Sequence, residues 1–118
     1  MIDSIPTAES IVLSTSSIID AYVEKGLAEL DRQMKANESP HAGQVYTLYS
    51  FVYIDSKRIY SKEFKKEVTR RIGTKLWRLG YFIKYFDYSS KDDMYDGSPC
   101  IEVAVPIKIE KESIDATH

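Results

Sequence analysis

From Ile101 onward the chain alternates without a miss. Ile101, Val103, Val105, Ile107 and Ile109 fall on one side, and Glu102, Ala104, Pro106 and Lys108 on the other. A repeat of two is the side-chain period of a pleated strand, so 101–109 is predicted to be a strand with one buried face. Such a strand needs neighbours in a sheet and a layer that covers its apolar side. Pro106 cannot donate to a ladder, which places one side of the strand at a sheet edge or a bulge.

Two more segments read as strands. Residues 44–55 are rich in β-branched and aromatic side chains and carry two apolar faces. One face would show Val45, Thr47, Tyr49, Phe51 and Tyr53, and the other Tyr46, Leu48, Ser50, Val52 and Ile54. Helices are expected over one of them, leaving the tyrosine-rich face for a second subunit, a ligand or more of the same chain. Residues 81–88 form the third strand. A loop over 89–98 joins it to the alternating strand, so the two should pair antiparallel.

The cover comes from two helices. Pro6-Thr7-Ala8-Glu9 opens the first, with Thr7 as cap and Glu9 at the positive dipole end. Ser14-Thr15-Ser16-Ser17 is a weak spot, where the helix could break and restart with Ser17 as a second cap. Residues 37–43 end it. Ser61 opens the second helix, and Gly80 suits its carboxyl-terminal cap. The order helix, strand, helix, strand, strand predicts an α+β domain with a small antiparallel or mixed three-stranded sheet and both helices packed on one face. At 118 residues one domain spans the chain, with a flexible acidic tail expected over 110–118.

The second helix carries the one feature that points outward. At about 100° per residue, Phe64, Val68, Ile72, Leu76 and Leu79 gather within an arc of about 120°, which is a core face. Trp77, the only tryptophan, falls outside that arc, in line with Gly73, Arg70 and Lys66. Gly73 exposes backbone there or lets another element approach closely. Three readings of Trp77 stand open. It folds over the following loop or the first helix, it anchors a protein partner, or it stacks on a base while the cations hold phosphates.

Charge sharpens that pattern. Residues 57–84 carry a net +8 and the rest of the chain −10, within an overall −2. The acidic balance as a whole weighs against a dedicated nucleic-acid binder. Nine tyrosines suit half-buried and interface positions.

Other chemistry finds little support. Asp92, Asp93 and Asp96 cluster in one loop, but their spacing is not that of a calcium loop, and a solvated loop is expected. His41 and His118 make no zinc spacing with Cys100, which reads as a small buried hydrophobe. Glu102 on the alternating strand reads as solvated. No Gly-x-Ser-x-Gly elbow or Gly-rich phosphate loop is present, so no catalytic residue, metal or cofactor is assigned and the chain is not expected to be an enzyme. The first residues lack a secretory signal, and no stretch approaches the roughly 20 apolar residues of a membrane span, so a cytoplasmic location is expected.

The helix start at Pro6-Thr7-Ala8-Glu9, the strand after a Gly-containing loop, the helix-to-strand turn at Leu79-Gly80-Tyr81 and the alternation over 101–109 form a set. In that set the chain resembles a type of small orphan protein encoded by tailed bacteriophages. The resemblance implies a viral accessory product in the host cytoplasm, acting on a host protein or as a particle component, and it assigns no functional residue. From the residues, the expected function is non-enzymatic binding of a protein partner through Lys66, Arg70 and Trp77. Self-association is expected through Tyr49, Phe51 and Tyr53. Two alternatives remain: single-stranded nucleic-acid binding that uses those aromatics as stacking platforms, and sequestration of a small molecule between subunits.

Overall fold

A computed structural model describes residues 5–36, 40–55, 60–88 and 98–109, the side chains of residues 87 and 88 apart. The aspartate loop at 91–96, His118 and the acidic tail over 110–118 lie outside the described residues. The elements run α1 (Ala8–Ala36), β1 (Val45–Tyr49), a short α2 (Ser50–Tyr53), α3 (Lys62–Arg78), β2 (Phe82–Tyr88) and β3 (Ser98–Ala104). The sheet is antiparallel throughout, in the order β1-β3-β2. The last strand in sequence therefore lies between the other two. The α+β class, the small sheet and the two long helices are as the sequence implies.

Register explains which face is covered. Tyr46 lies opposite Val103 and Leu48 opposite Ile101, with Ile83 and Tyr85 completing the same two rows. Tyr46, Leu48, Ile101 and Val103 are buried together with Ile19, Tyr22, Val23 and Leu30 of α1 and Val68, Ile72 and Leu76 of α3. Both long helices thus share one face of the sheet. The fully buried Cys100 lies in register between Tyr49 and Phe86.

Local chemistry sets the ends of the helices. Thr7 Oγ1 accepts from the Ser10 amide at 3.2 Å, so Thr7 caps α1 as expected. The serine-rich stretch does not interrupt α1. Ser14 and Thr15 donate to the Ile11 carbonyl at 3.0 and 2.6 Å, and Ser17 donates to that of Ser14 at 2.9 Å. Hydroxyls that bond back into the preceding turn are satisfied without breaking the helix. Ser61 accepts from the Phe64 amide at 3.1 Å and caps α3. At the other end Gly80 adopts φ 101°. The Gly80 amide donates to Trp77 at 3.0 Å and the Tyr81 amide to Leu76 at 3.2 Å, a Schellman motif that turns α3 directly into β2.

Three expectations are corrected. The strand over 44–55 stops at Tyr49, and its continuation turns into α2. In register Ser50 would face Pro99, and Pro99 has no amide to give. The Val105 amide donates toward β1, to the Gln44 carbonyl at 2.8 Å, and the two-residue period puts the missing donor of Pro99 on the same side. Phe51 and Tyr53 therefore leave the strand, and Tyr53 is buried with only 7% exposure. The alternating strand also begins and ends early, at Ser98–Ala104, with Val105 half-buried and Ile107 and Ile109 exposed beyond Pro106. Leu79, counted with the core face, is 73% exposed, because it is the cap residue at which the chain leaves the helical path.

Ile72 has no exposed surface and lies so close to Gly26 of α1 that a Cβ there would meet its side chain. Ile72→Ala is expected to cost about 2–5 kcal/mol by leaving a cavity between both helices and the sheet, measurable by urea unfolding.

Candidate functional site

The outward stripe of α3 takes its direction from what holds the rest of the helix. Val68, Ile72 and Leu76 face the core. On the flank toward α1, Arg71 donates to Asp20 at 3.0 Å and to Ser16 at 3.2 Å, and Lys75 donates to Glu24 at 3.2 Å. Lys66, Arg70, Gly73 and Trp77 fall on the remaining flank, away from α1. Trp77 is 67% exposed, so the indole faces solvent.

Gly73 brings β2 into contact with this stripe. The Tyr85 ring lies against it so closely that a Cβ on Gly73 would come within 2.7 Å of Tyr85 Cζ. Beside that contact a cleft of about 440 Å³ opens between α3 and the far end of β2 and β3. Lys66, Thr69 and Arg70 form one wall, and Tyr85, Phe86, Pro99 and Cys100 the other. The cleft is apolar within and cationic at its lip, the usual composition of a site that takes an apolar group and fixes it with a few charges.

The two cations differ. Arg70 grips Glu67 through two hydrogen bonds, Nε to Oε1 at 2.9 Å and Nη2 to Oε2 at 2.7 Å, and Arg71 donates to the same carboxylate at 2.7 Å. The Arg70 bonds contribute most to holding the Glu67 carboxyl down to about 2, burial opposes them next, and the Arg71 bond adds to the lowering. Lys66 has no carboxylate within ion-pair distance among the described residues. Arg70 thus shares one carboxylate with Arg71, whereas Lys66 meets none among the described residues.

The structure brings Lys66 and Arg70 together at the cleft and sets Trp77 farther along the same flank. The face expected for Tyr49, Phe51 and Tyr53 does not exist. Tyr49 and Phe51 stack on each other with centroids 5.3 Å apart, and Tyr53 turns inward, its hydroxyl 3.5 Å from Thr69 and pushed up to about 12 by burial. Sequence reading missed Thr69, Tyr85, Phe86 and Pro99 as cleft residues. The available signal was Gly73, a helix-interior glycine beneath a tryptophan, which marks close approach by another element. Glu102 lies half-buried on the sheet face away from α1 and α3, opposite Thr47 and Lys84.

A second recess, of about 550 Å³, was also not legible. Ser17, Ile18, Tyr22, Lys25, Asp55 and Tyr60 line it. Its floor is an aromatic cluster in which Tyr60 stacks on Phe64 at 4.1 Å and the hydroxyls of Tyr22 and Tyr60 meet at 3.2 Å. Among the described residues no group of three or more metal-ligating side chains occurs, and no helix is long and apolar enough to cross a membrane. Comparison with protein-family models, with curated proteins and with solved structures found no match.

The Glu67 fork has a pH signature. A carboxyl lowered in the folded state adds stability that is present above its unfolded value near 4.5 and is lost as pH falls toward about 2. Solvent reaches this carboxylate, so Glu67→Gln is expected to cost no more than about 1 kcal/mol at pH 7. The variant should also flatten the fall in unfolding midpoint between pH 4.5 and 2 in a urea series.

Proposed function

We propose that the chain is a non-enzymatic interaction domain that binds a protein partner through Lys66, Arg70 and Trp77. The observation that carries this reading is the exposure of Trp77 on a helix whose other flanks are fastened to the core and to α1. A tryptophan with two cations on one exposed flank has the composition of an interface anchor. The cleft beside Lys66 and Arg70 gives an apolar side chain of the partner a place to enter. In the setting that the phage resemblance implies, the partner is a host protein or a component of the particle.

The nucleic-acid alternative has less support once Tyr53 is buried and Tyr49 stacks on Phe51, because it then lacks its row of platforms. Self-association needs a different surface from the one expected. The first three turns of α1 offer it: Ile11, Val12, Leu13 and Ile18 are all exposed, and no charge occurs from Ser10 to Ile19. With their hydroxyls bonded internally, Ser14, Thr15 and Ser17 leave a small, uncharged surface suited to packing against the same segment of a second copy.

Trp77→Ala is expected to leave stability within about 0.5 kcal/mol of the parent, because the ring touches little of the core. The same substitution, and Lys66→Glu with Arg70→Glu, should remove partner capture in a pull-down. A stability loss of several kcal/mol would place the indole in the core. A complex whose affinity falls linearly and steeply in log–log salt would indicate phosphate contacts. Light scattering should show a mass that rises with micromolar concentration and reverts to the monomer in Val12→Glu.

A further inference from the structure

We propose that β2 is a docking edge, to which an extended segment of the partner adds as a fourth strand carrying carboxylates at alternate positions. The proposal rests on the protein-binding reading above and supplies the partner's chemistry and its mode of attachment.

The backbone provides the first argument. Among the described residues β2 pairs with β3 alone, so it is an edge strand. The amide of Val105 points toward β1, and by the two-residue period so do those of Val103 and Ile101, while Ala104, Glu102 and Cys100 point toward β2. Their register partners Phe82, Lys84 and Phe86 complete that ladder. The amides and carbonyls of Ile83, Tyr85 and Asp87 are therefore directed outward, away from the sheet. The opposite edge confirms the parity, since the outward carbonyl of Thr47 accepts from Gln33 of α1 at 3.2 Å. That edge is overlaid by a helix. The β2 edge has no proline and no bulge in its register, and Lys84, on the face away from α3, is the one charge among its described side chains. Phe82 and Tyr85 are 61% and 50% exposed.

The Lys66–Trp77 flank overlooks this edge, because the opposite flank of α3 is clamped to α1 and because Gly73 touches Tyr85. A strand added about 4.8 Å beyond β2 would run beneath Lys66, Arg70 and Trp77. The tight turn at Gly80 makes α3 and β2 antiparallel, so Trp77 stands over the start of the strand and Lys66 over its end. Every second side chain of the guest would face the helix, where carboxylates meet the two cations. The alternate set would lie beside Phe82 on the face away from α3, where apolar residues fit. Pairing with the β2 of a second copy would instead set one cationic flank against another, which disfavours that occupant.

The test uses the full chain and a seven-residue peptide alternating glutamate and valine, with blocked ends. Titration followed by amide hydrogen exchange should slow the outward-directed amides of Ile83, Tyr85 and Asp87 and leave Lys84 and Phe86 unchanged. N-methylation of the peptide at every second residue should weaken binding more than tenfold in one phase and leave it unaffected in the other. Lys66→Glu with Arg70→Glu should weaken it more than tenfold, and a lysine–valine peptide should not bind. Equal binding by both methylated peptides, or no binding by the unmodified one, would overturn strand addition. Protection of the same amides on concentrating the protein alone would assign the edge to a second copy and overturn the proposal as well. Partner capture that still depends on Trp77 in those cases would leave the protein-binding reading standing, while loss of that dependence would remove the reading itself.

Discussion

The seating of α3 on the sheet governs everything outward of it. Val68 and Ile72 are fully enclosed between α1 and the Leu48–Ile101–Val103 rows, and Leu76 nearly so. A helix held by three residues at spacings of four has one rotational setting about its axis, since turning it would expose some of them and bury lysine or arginine instead. Arg71 and Lys75 then fix the side that faces α1. Once these contacts are made, the directions of Lys66, Arg70 and Trp77 follow without further interaction. The exposure of the indole is a consequence of where the aliphatic residues are, and it needs no partner to explain how it arises.

This is also why so much of α3 could be read from the sequence. Its periodicity, its Ser61 cap and its Gly80 turn all act within a few residues, and each appears in the structure where the sequence puts it. The strand over 44–55 failed for the opposite reason. Its composition is that of a strand throughout, yet its length depends on Pro99, half a chain away, whose missing amide stops the ladder. No local propensity reports that. The same holds for the cleft: Lys66 and Arg70 were visible as a stripe, but Tyr85, Phe86 and Pro99 join them only through the antiparallel register of β2 and β3. Leu79 departs from its helical periodicity for a local reason, lying one residue past the last helical position. The serines of α1 show another, because hydroxyls that favour caps can equally bond back to the turn before.

Charge and shape meet at the stripe in an uneven way. The net +8 of residues 57–84 suggests a uniformly basic surface, but the structure distributes it. Arg71 and Lys75 are spent in holding the two helices together, and Arg70 is half-engaged with Glu67. A fork of two hydrogen bonds keeps the guanidinium plane in one orientation, which would preorganise it for the carboxylate of the proposed guest. Lys66 adds a mobile charge one turn earlier. A pair of this kind distinguishes a segment with spaced carboxylates from a polyanion better than a larger field would, because only two positions are matched.

The glycine at 73 links the helix stripe to the strand edge. In a helix interior it costs about 1 kcal/mol relative to alanine, so its presence has to be offset by something that alanine would forbid. What alanine would forbid is the seat of the Tyr85 ring. With that ring against the helix, the backbone of β2 lies close under the cationic flank, and its outward amides pair with no strand among the described residues. Were a Cβ present, the ring would have to swing away and the helix flank would stand off from the strand. The groove between them would then lose the depth that lets one guest strand touch backbone, cations and indole at once. A single missing side chain thus couples the helix stripe to the strand edge and sets the two side by side, as the proposed strand addition requires.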